Sequence, residues 1–213
     1  MLEELMPSLH ELIAYDYDKI KNKETECIIN EHLANVSSVE KPEFIQVSGI
    51  PGAGKSSYCK AHMLPNYLYI SFDKIMLSLK SYQDMLIKKD VKRAYYSYEM
   101  PARVIGYELL QRALKLQLNI LLEHSGTNKA HLELLKNIKS IGYKTTINFI
   151  VCDKDRAIQR AEKREEKEGR FIPKAVINER LKNLDYYFKE YSKLTSNIKI
   201  FDGTNNFKML KKI

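Results

Sequence analysis

Apolar residues recur along this chain in two alternating rhythms. Short runs at 44–47, 67–72, 118–122, 145–151 and 198–201 are nearly continuous and read as strands buried on both faces. The stretches between them carry apolar positions three and four apart, the spacing of one helical face. This predicts helices over 92–117, with Pro101 marking a break or kink near its start, and over 129–141, stopped by Gly142. It also predicts a highly charged helix over 155–168, interrupted at Gly169, and another from Pro173 to Lys193. Ahead of the first strand, Leu9, Leu12, Ile13 and Ile20 sit at helical spacing, and Ile28, Ile29 and Leu33 form a second short run. Val36-Ser37-Ser38 and Lys41-Pro42 then read as a linker. The pattern predicts an α/β protein in three layers, with a mainly parallel five-stranded sheet covered on both faces. Residues 1–42 are expected to form a helical N-terminal extension packed on the core, and 43–213 the main domain.

Composition changes this picture little. The 213 residues suffice for one sizeable domain, and hydrophobic residues at 44% with charged residues at 29% are ordinary for a water-soluble chain. No apolar stretch approaches the ~20 residues that cross a bilayer, and the first residues lack a secretory leader's charged-then-apolar layout. Cys27, Cys59 and Cys152 are odd in number and widely spaced, which suggests neither a disulfide framework nor a zinc site and predicts a reducing cytoplasm. The net charge of +8 favours anionic ligands. Its lysines are scattered, without an arginine-rich tail or a basic stripe interleaved with aromatics, so nucleic acid is disfavoured as the main partner.

The chemistry enters where the first strand ends. Phe44 to Val47 leads into Gly49-x-x-x-x-Gly54-Lys55-Ser56, and a helix-compatible segment follows. Strand, glycine-rich loop and helix in that order form a phosphate-binding loop, here Gly49, Pro51, Gly52, Ala53, Gly54, Lys55, Ser56 and Ser57. Its glycines allow positive φ and a close approach to phosphate oxygens, and successive N–H groups turn inward. Lys55 supplies a mobile cation for the outer phosphates, and the Ser56 hydroxyl is sized for Mg²⁺. A nucleoside triphosphate, ATP, is the expected ligand, on a P-loop fold of the nucleotide-kinase type.

Ligands of open α/β sheets collect at the carboxyl ends of strands. Asp73 follows the second strand and Glu123-His124-Ser125 the third. Asp73 is the candidate catalytic base, since phosphoryl transfer needs the acceptor hydroxyl oriented and its proton taken late; a helix N-cap is its structural alternative. Glu123 ends a buried strand, where a lone carboxylate is costly. It is a candidate for Mg²⁺ or the acceptor, with burial against Lys55 or an arginine as the alternative. His124 has no partner at metal spacing and reads as packing or substrate contact. Ser125 and Thr127 are candidate donors to a polar substrate. Arg156, Arg160, Arg164 and Arg170 cluster in a segment, about 156–173, that can fold over the site as a lid. Arg164 and Arg170 are assigned to developing charge on the phosphate, Arg160 to substrate, and Arg156 to a solvated face of alternating charge.

These motifs resemble those of the zeta toxin family of P-loop kinases, over about residues 40–205. The family's Gly-x-Pro-Gly-Ala-Gly-Lys-Ser/Thr loop is matched by Gly49 to Ser56, its aspartate base by Asp73, and its Glu-Gly-Thr element, in longer form, by Glu123 to Thr127. Its lid arginines, ahead of an Ile/Thr-Pro helix start, are similar to Arg164, Arg170 and Ile172-Pro173. The resemblance implies an ATP- and Mg²⁺-dependent kinase acting on a hydroxyl of a UDP-sugar such as UDP-N-acetylglucosamine, and an antitoxin-like protein partner. The chain departs from the family's Asp-Gly-Asp-x-Phe-Arg with Ser71-Phe72-Asp73-Lys74-Ile75-Met76, and His124 and Ser125 are inserted after the glutamate. Both departures lie on the acceptor side. Two other classes remain open from the residues alone: a polynucleotide 5′-hydroxyl kinase, and a non-catalytic nucleotide-binding regulator.

Overall fold

The computed structural model describes residues 2–15 and 17–213. Its sheet has six strands in the order β2-β3-β1-β4-β5-β6, one more than the five expected. The strands are β1 (Glu43–Ser48), β2 (Tyr67–Ser71), β3 (Asn119–Glu123), β4 (Lys144–Val151), β5 (Ile198–Asp202) and β6 (Lys208–Lys212). The first five pair in parallel, and β6 closes the edge antiparallel to β5. The sequence Lys-Met-Leu-Lys-Lys of β6 is exposed at every position. It carries no burial signal, and only the open edge of β5 makes it a strand.

Among the described residues, ten α-helices connect and cover the strands: α1 (Leu2–Leu5), α2 (His10–Ile13), α3 (Lys23–Leu33), α4 (Lys55–Ala61), α5 (Phe72–Ser78), α6 (Lys80–Ile87), α7 (Val91–Lys115), α8 (Lys129–Ser140), α9 (Lys154–Glu168) and α10 (Lys174–Leu194). Side chains alternate across each strand, so single strands feed two cores. Phe44, Ile120, Leu122, Ile147 and Phe149 join the larger cluster, while Val47, Leu121 and Ile150 join the smaller one under the phosphate loop. Two expectations need correction. Pro101 does not break α7, which runs on from Val91 to Lys115 with the proline inside its first half. Strand β2 ends at Ser71, not Phe72, because α5 begins at once and draws Phe72 and Asp73 into its first turn.

The helical spacing over 9–20 becomes one one-turn helix, α2, and a 3-10 turn at Tyr17–Lys19, with the one-turn α1 ahead of them; Asp16 lies outside the described residues. Helices this short are unstable alone, and tertiary contacts hold them. Leu5, Met6 and Leu12 are buried in the larger cluster, and Asn137 Nδ2 donates to the Glu4 and Leu5 carbonyls. The Ser8 amide donates to Glu133 Oε2 at 2.9 Å. Helix α3 has a reciprocal cap between Asn22 and Thr25, and Glu26 takes both ends of the Arg112 guanidinium at 2.8 and 2.9 Å.

The Arg112 hydrogen bonds hold the Glu26 carboxyl down at about 2, below its ordinary 4.5. A lowered carboxylate pKa contributes stability above the unfolded value and loses it as pH falls toward the folded one. The Arg112→Ala variant should therefore melt below wild type at pH 6, with the gap closing as pH falls from about 4.5 toward 2. Melting curves across that range check this; a gap that stays constant would contradict the pairing.

Candidate active site

Strand register brings the polar ends of three strands together. Glu123 pairs in register with Val47 of β1 on one side and Ser71 of β2 on the other. Chain order reverses at β1, which lies between β3 and β4, so this is the topological switch point where such sheets bind ligands. A cleft open to solvent lies there.

The loop from Gly49 to Gly54 forms one wall. Pro51, Gly52, Gly54, Lys55 and Ser56 line the cleft, while Gly49 and Ala53 are buried in the loop and Ser57 faces out from α4. Gly52 has φ +82°, and a Cβ there would come within 2.0 Å of the Ala157 carbonyl oxygen on α9. Only glycine meets both conditions. Gly52→Ala is expected to displace the loop from α9 and abolish nucleotide binding, which isothermal titration with ATP would measure; unchanged affinity would contradict it.

Lys55 is half-buried and donates to the Ile50 carbonyl at 3.1 Å. Burial pulls its ammonium down to about 8. The Glu123 charge opposes that shift, and the positive fields of Arg170 and Arg164 add to it. Both arginines line the same cleft as the loop lysine. Glu123 is buried, and its two oxygens are taken separately: Ser56 Oγ donates to Oε1 at 2.8 Å, and the Tyr69 hydroxyl donates to Oε2. Burial, reinforced by the Glu123 charge, pushes the Tyr69 phenol far above its ordinary value, so it remains a donor. Tyr69 was not legible as a site residue; it is one aromatic in a strand.

Asp73 stands in the first turn of α5, whose N-cap position is Ser71. Its carboxylate faces the cleft and pairs through Oδ2 with the Arg170 guanidinium, which is only 7% exposed. Burial brings Arg170 down to about 10, so it stays charged at neutral pH. Arg164 is half-buried and also lines the cleft. Arg160 does not. Its guanidinium turns behind the loop, donating to the Gly203 carbonyl at 3.0 Å and the Gly52 carbonyl at 3.4 Å. It sits one helical turn from Arg164, but the close approach of α9 to the loop aims it at the backbone. Arg156 is exposed.

Beyond Glu123, Ser125 lines the cleft and Thr127 is buried beneath it, its hydroxyl donating to Ser125 Oγ at 3.1 Å. His124 is buried and also lines the cleft. Its Nδ1 accepts from the Gly126 amide at 2.9 Å, and its ring packs 3.9 Å from that of His131. Burial, helped by the positive charge of Lys55, pulls His124 down to about 3, so the imidazole is neutral and Nε2 carries the proton. The far wall comes from α7 and α10, with Tyr95, Glu99, Arg103, Tyr107 and Arg180. None of these was singled out in the sequence. Arg103 pairs with Glu99 one turn earlier at 2.5 Å, a spacing common on any solvated helix.

A model of the zeta toxin family matches residues 28–211. The chain belongs to that family. No curated relative matches the sequence. Among solved structures, the PezAT chromosomal toxin–antitoxin system of Streptococcus pneumoniae is similar at a TM-score of 0.70 and 16% identity, covering 92% of this chain and 83% of the other. The AvrRxo1-ORF1:AvrRxo1-ORF2 complex determined with ATP is similar at 0.58 and 9% identity, covering 88% of this chain and 65% of the other. At such identities the likeness concerns the fold, a mainly parallel α/β sheet with a phosphate loop. Among the described residues no helix is long and apolar enough to cross a membrane, and no three histidines, cysteines or carboxylates gather as a metal cluster.

Proposed function

We propose that this zeta toxin family member is an ATP-dependent phosphotransferase that moves the γ-phosphate to a hydroxyl of a small or nucleotide-linked acceptor, a UDP-sugar such as UDP-N-acetylglucosamine being the leading candidate. The observation that carries this reading is the convergence of loop, carboxylates and lid arginines on one cleft at the switch point. The loop amides and Lys55 hold the β- and γ-phosphates. Ser56 and Glu123 offer hard oxygen donors that already meet at 2.8 Å, a donor set that fits Mg²⁺. Mg²⁺ bound there would neutralise charge on the phosphate oxygens. Tyr69 keeps Glu123 aimed at that position.

Asp73 orients the acceptor hydroxyl and receives its proton as the bond to phosphorus forms. Arg170, bound to the same carboxylate, fixes its direction and places a positive charge beside the transferring group. Arg164 adds a second. Ser125 contacts the acceptor, and Thr127 holds the Ser125 hydroxyl in place. Arg160 serves the loop, not the substrate, by bracing the carbonyls of Gly52 and Gly203. An acidic antitoxin-like protein suits the chain's net charge of +8 and its family.

The test is incubation with labelled ATP, Mg²⁺ and separate pools of nucleotide-sugars, small polyols and oligonucleotides, with products identified by mass spectrometry. Label on a small-molecule hydroxyl is expected. Label on oligonucleotide 5′ ends alone would assign the alternative kinase class, and nucleotide binding without any transfer would assign a regulator.

A further inference from the structure

The strap carrying Arg170 between α9 and α10 is gripped on both sides, by α6 at Gly169 and by α7 at Phe171. Tyr82, on α6, is fully buried, and its hydroxyl donates to the Gly169 carbonyl at 2.9 Å. Leu86, one turn later on α6, packs on the same glycine so closely that a Cβ there would lie 2.9 Å from Leu86 Cδ2. Gly169 has φ +62°, the left-handed cap that ends α9. On the other side of Arg170, the Phe171 ring meets Tyr95 at 5.7 Å and Tyr96 at 6.1 Å, with the Lys92 ammonium 5.6 Å over its face.

The Gly169 carbonyl belongs to the peptide plane whose nitrogen is that of Arg170. A hydrogen bond to that oxygen therefore fixes the plane from which the Arg170 side chain departs. The amide end of the same peptide points to the Arg164 carbonyl, at a long 3.5 Å. Tyr82 supplies the firmer of the two ties. With Phe171 anchored to α7, the guanidinium between turns inward to Asp73.

We propose that Tyr82, together with the aromatic grip on Phe171, is a positioning residue that aims Arg170 into the active site. This rests on the phosphotransferase reading for its effect on rate, but not for its effect on the strap.

Tyr82→Phe removes the hydroxyl and keeps the ring against Tyr98, 6.2 Å away. Two measurements separate the claims. Trypsin cleavage after Arg170, resolved by mass spectrometry, is expected to accelerate in Tyr82→Phe while the melting temperature stays near wild type. Equal cleavage rates would overturn the proposal whether or not the protein transfers phosphate. In the transfer assay, kcat is expected to fall about tenfold with KM for ATP nearly unchanged, as misplacement of an oriented group costs rate more than affinity. In an Arg170→Lys background, where the fork that Tyr82 aims is already lost, Tyr82→Phe should cost little more. A kcat equal to wild type, or a full additional loss in the Arg170→Lys background, would overturn it. Phe171→Tyr should retain activity and Phe171→Ala should lose it; equal losses in both would argue against the ring's role.

Discussion

Asp73→Asn is expected to lower phosphate transfer by about 10²–10⁴-fold, the range for loss of a positioned proton acceptor, while ATP affinity stays near wild type. The amide keeps the carboxylate's size and one acceptor oxygen, so the acceptor can still dock. It cannot take the proton, and its pairing with Arg170 loses the ionic component. Folding should be spared, because Ser71, not Asp73, occupies the N-cap of α5 and the Asp73 side chain is 39% exposed. Steady-state kcat beside calorimetric ATP binding separates these effects. Transfer at the wild-type rate would remove Asp73 from the base role, and loss of both transfer and ATP binding would make it a structural residue.

Arg170→Ala should have a comparable or larger effect on kcat, about 10³–10⁵-fold if it neutralises the transferring phosphate as an arginine finger does. Its guanidinium is buried and already committed to Asp73, so the substitution removes both the positive charge and the partner that aims the base. Arg160→Ala, on the helix that leads into the strap, offers the contrast. Arg160 holds the carbonyls of Gly52 and Gly203 behind the loop, so its loss should raise KM for ATP with a smaller change in kcat. The two profiles are read from one set of kinetics. A kcat loss for Arg160→Ala as large as that for Arg170→Ala would return Arg160 to the substrate role its spacing suggested.

The positions that matter most at the cleft's phosphate end were legible because their chemistry is local. Gly49 to Ser56 forms a tight glycine-rich turn ahead of α4, and few sequences can do so after a buried strand. The five parallel strands were legible for a related reason, since burial on both faces leaves continuous apolar runs. The break between the last two long helices was legible, because Gly169 and Pro173 punctuate them at either end.

Other features were decided only when distant segments met. Strand β6 exists because β5 offers an edge, and nothing in Lys208–Lys212 announces it. Tyr69 reaches Glu123 from the neighbouring strand, Tyr82 reaches Gly169 across 87 residues, and Arg103 and Arg180 close the far wall from separate helices. The chain's own order of residues determined which groups are proposed for phosphate and for the proton, because those requirements are met within a few consecutive peptides. Where Arg160 and Arg170 point was decided by packing. Long flexible side chains take their direction from the backbone and rings they land against, and those neighbours are remote in sequence.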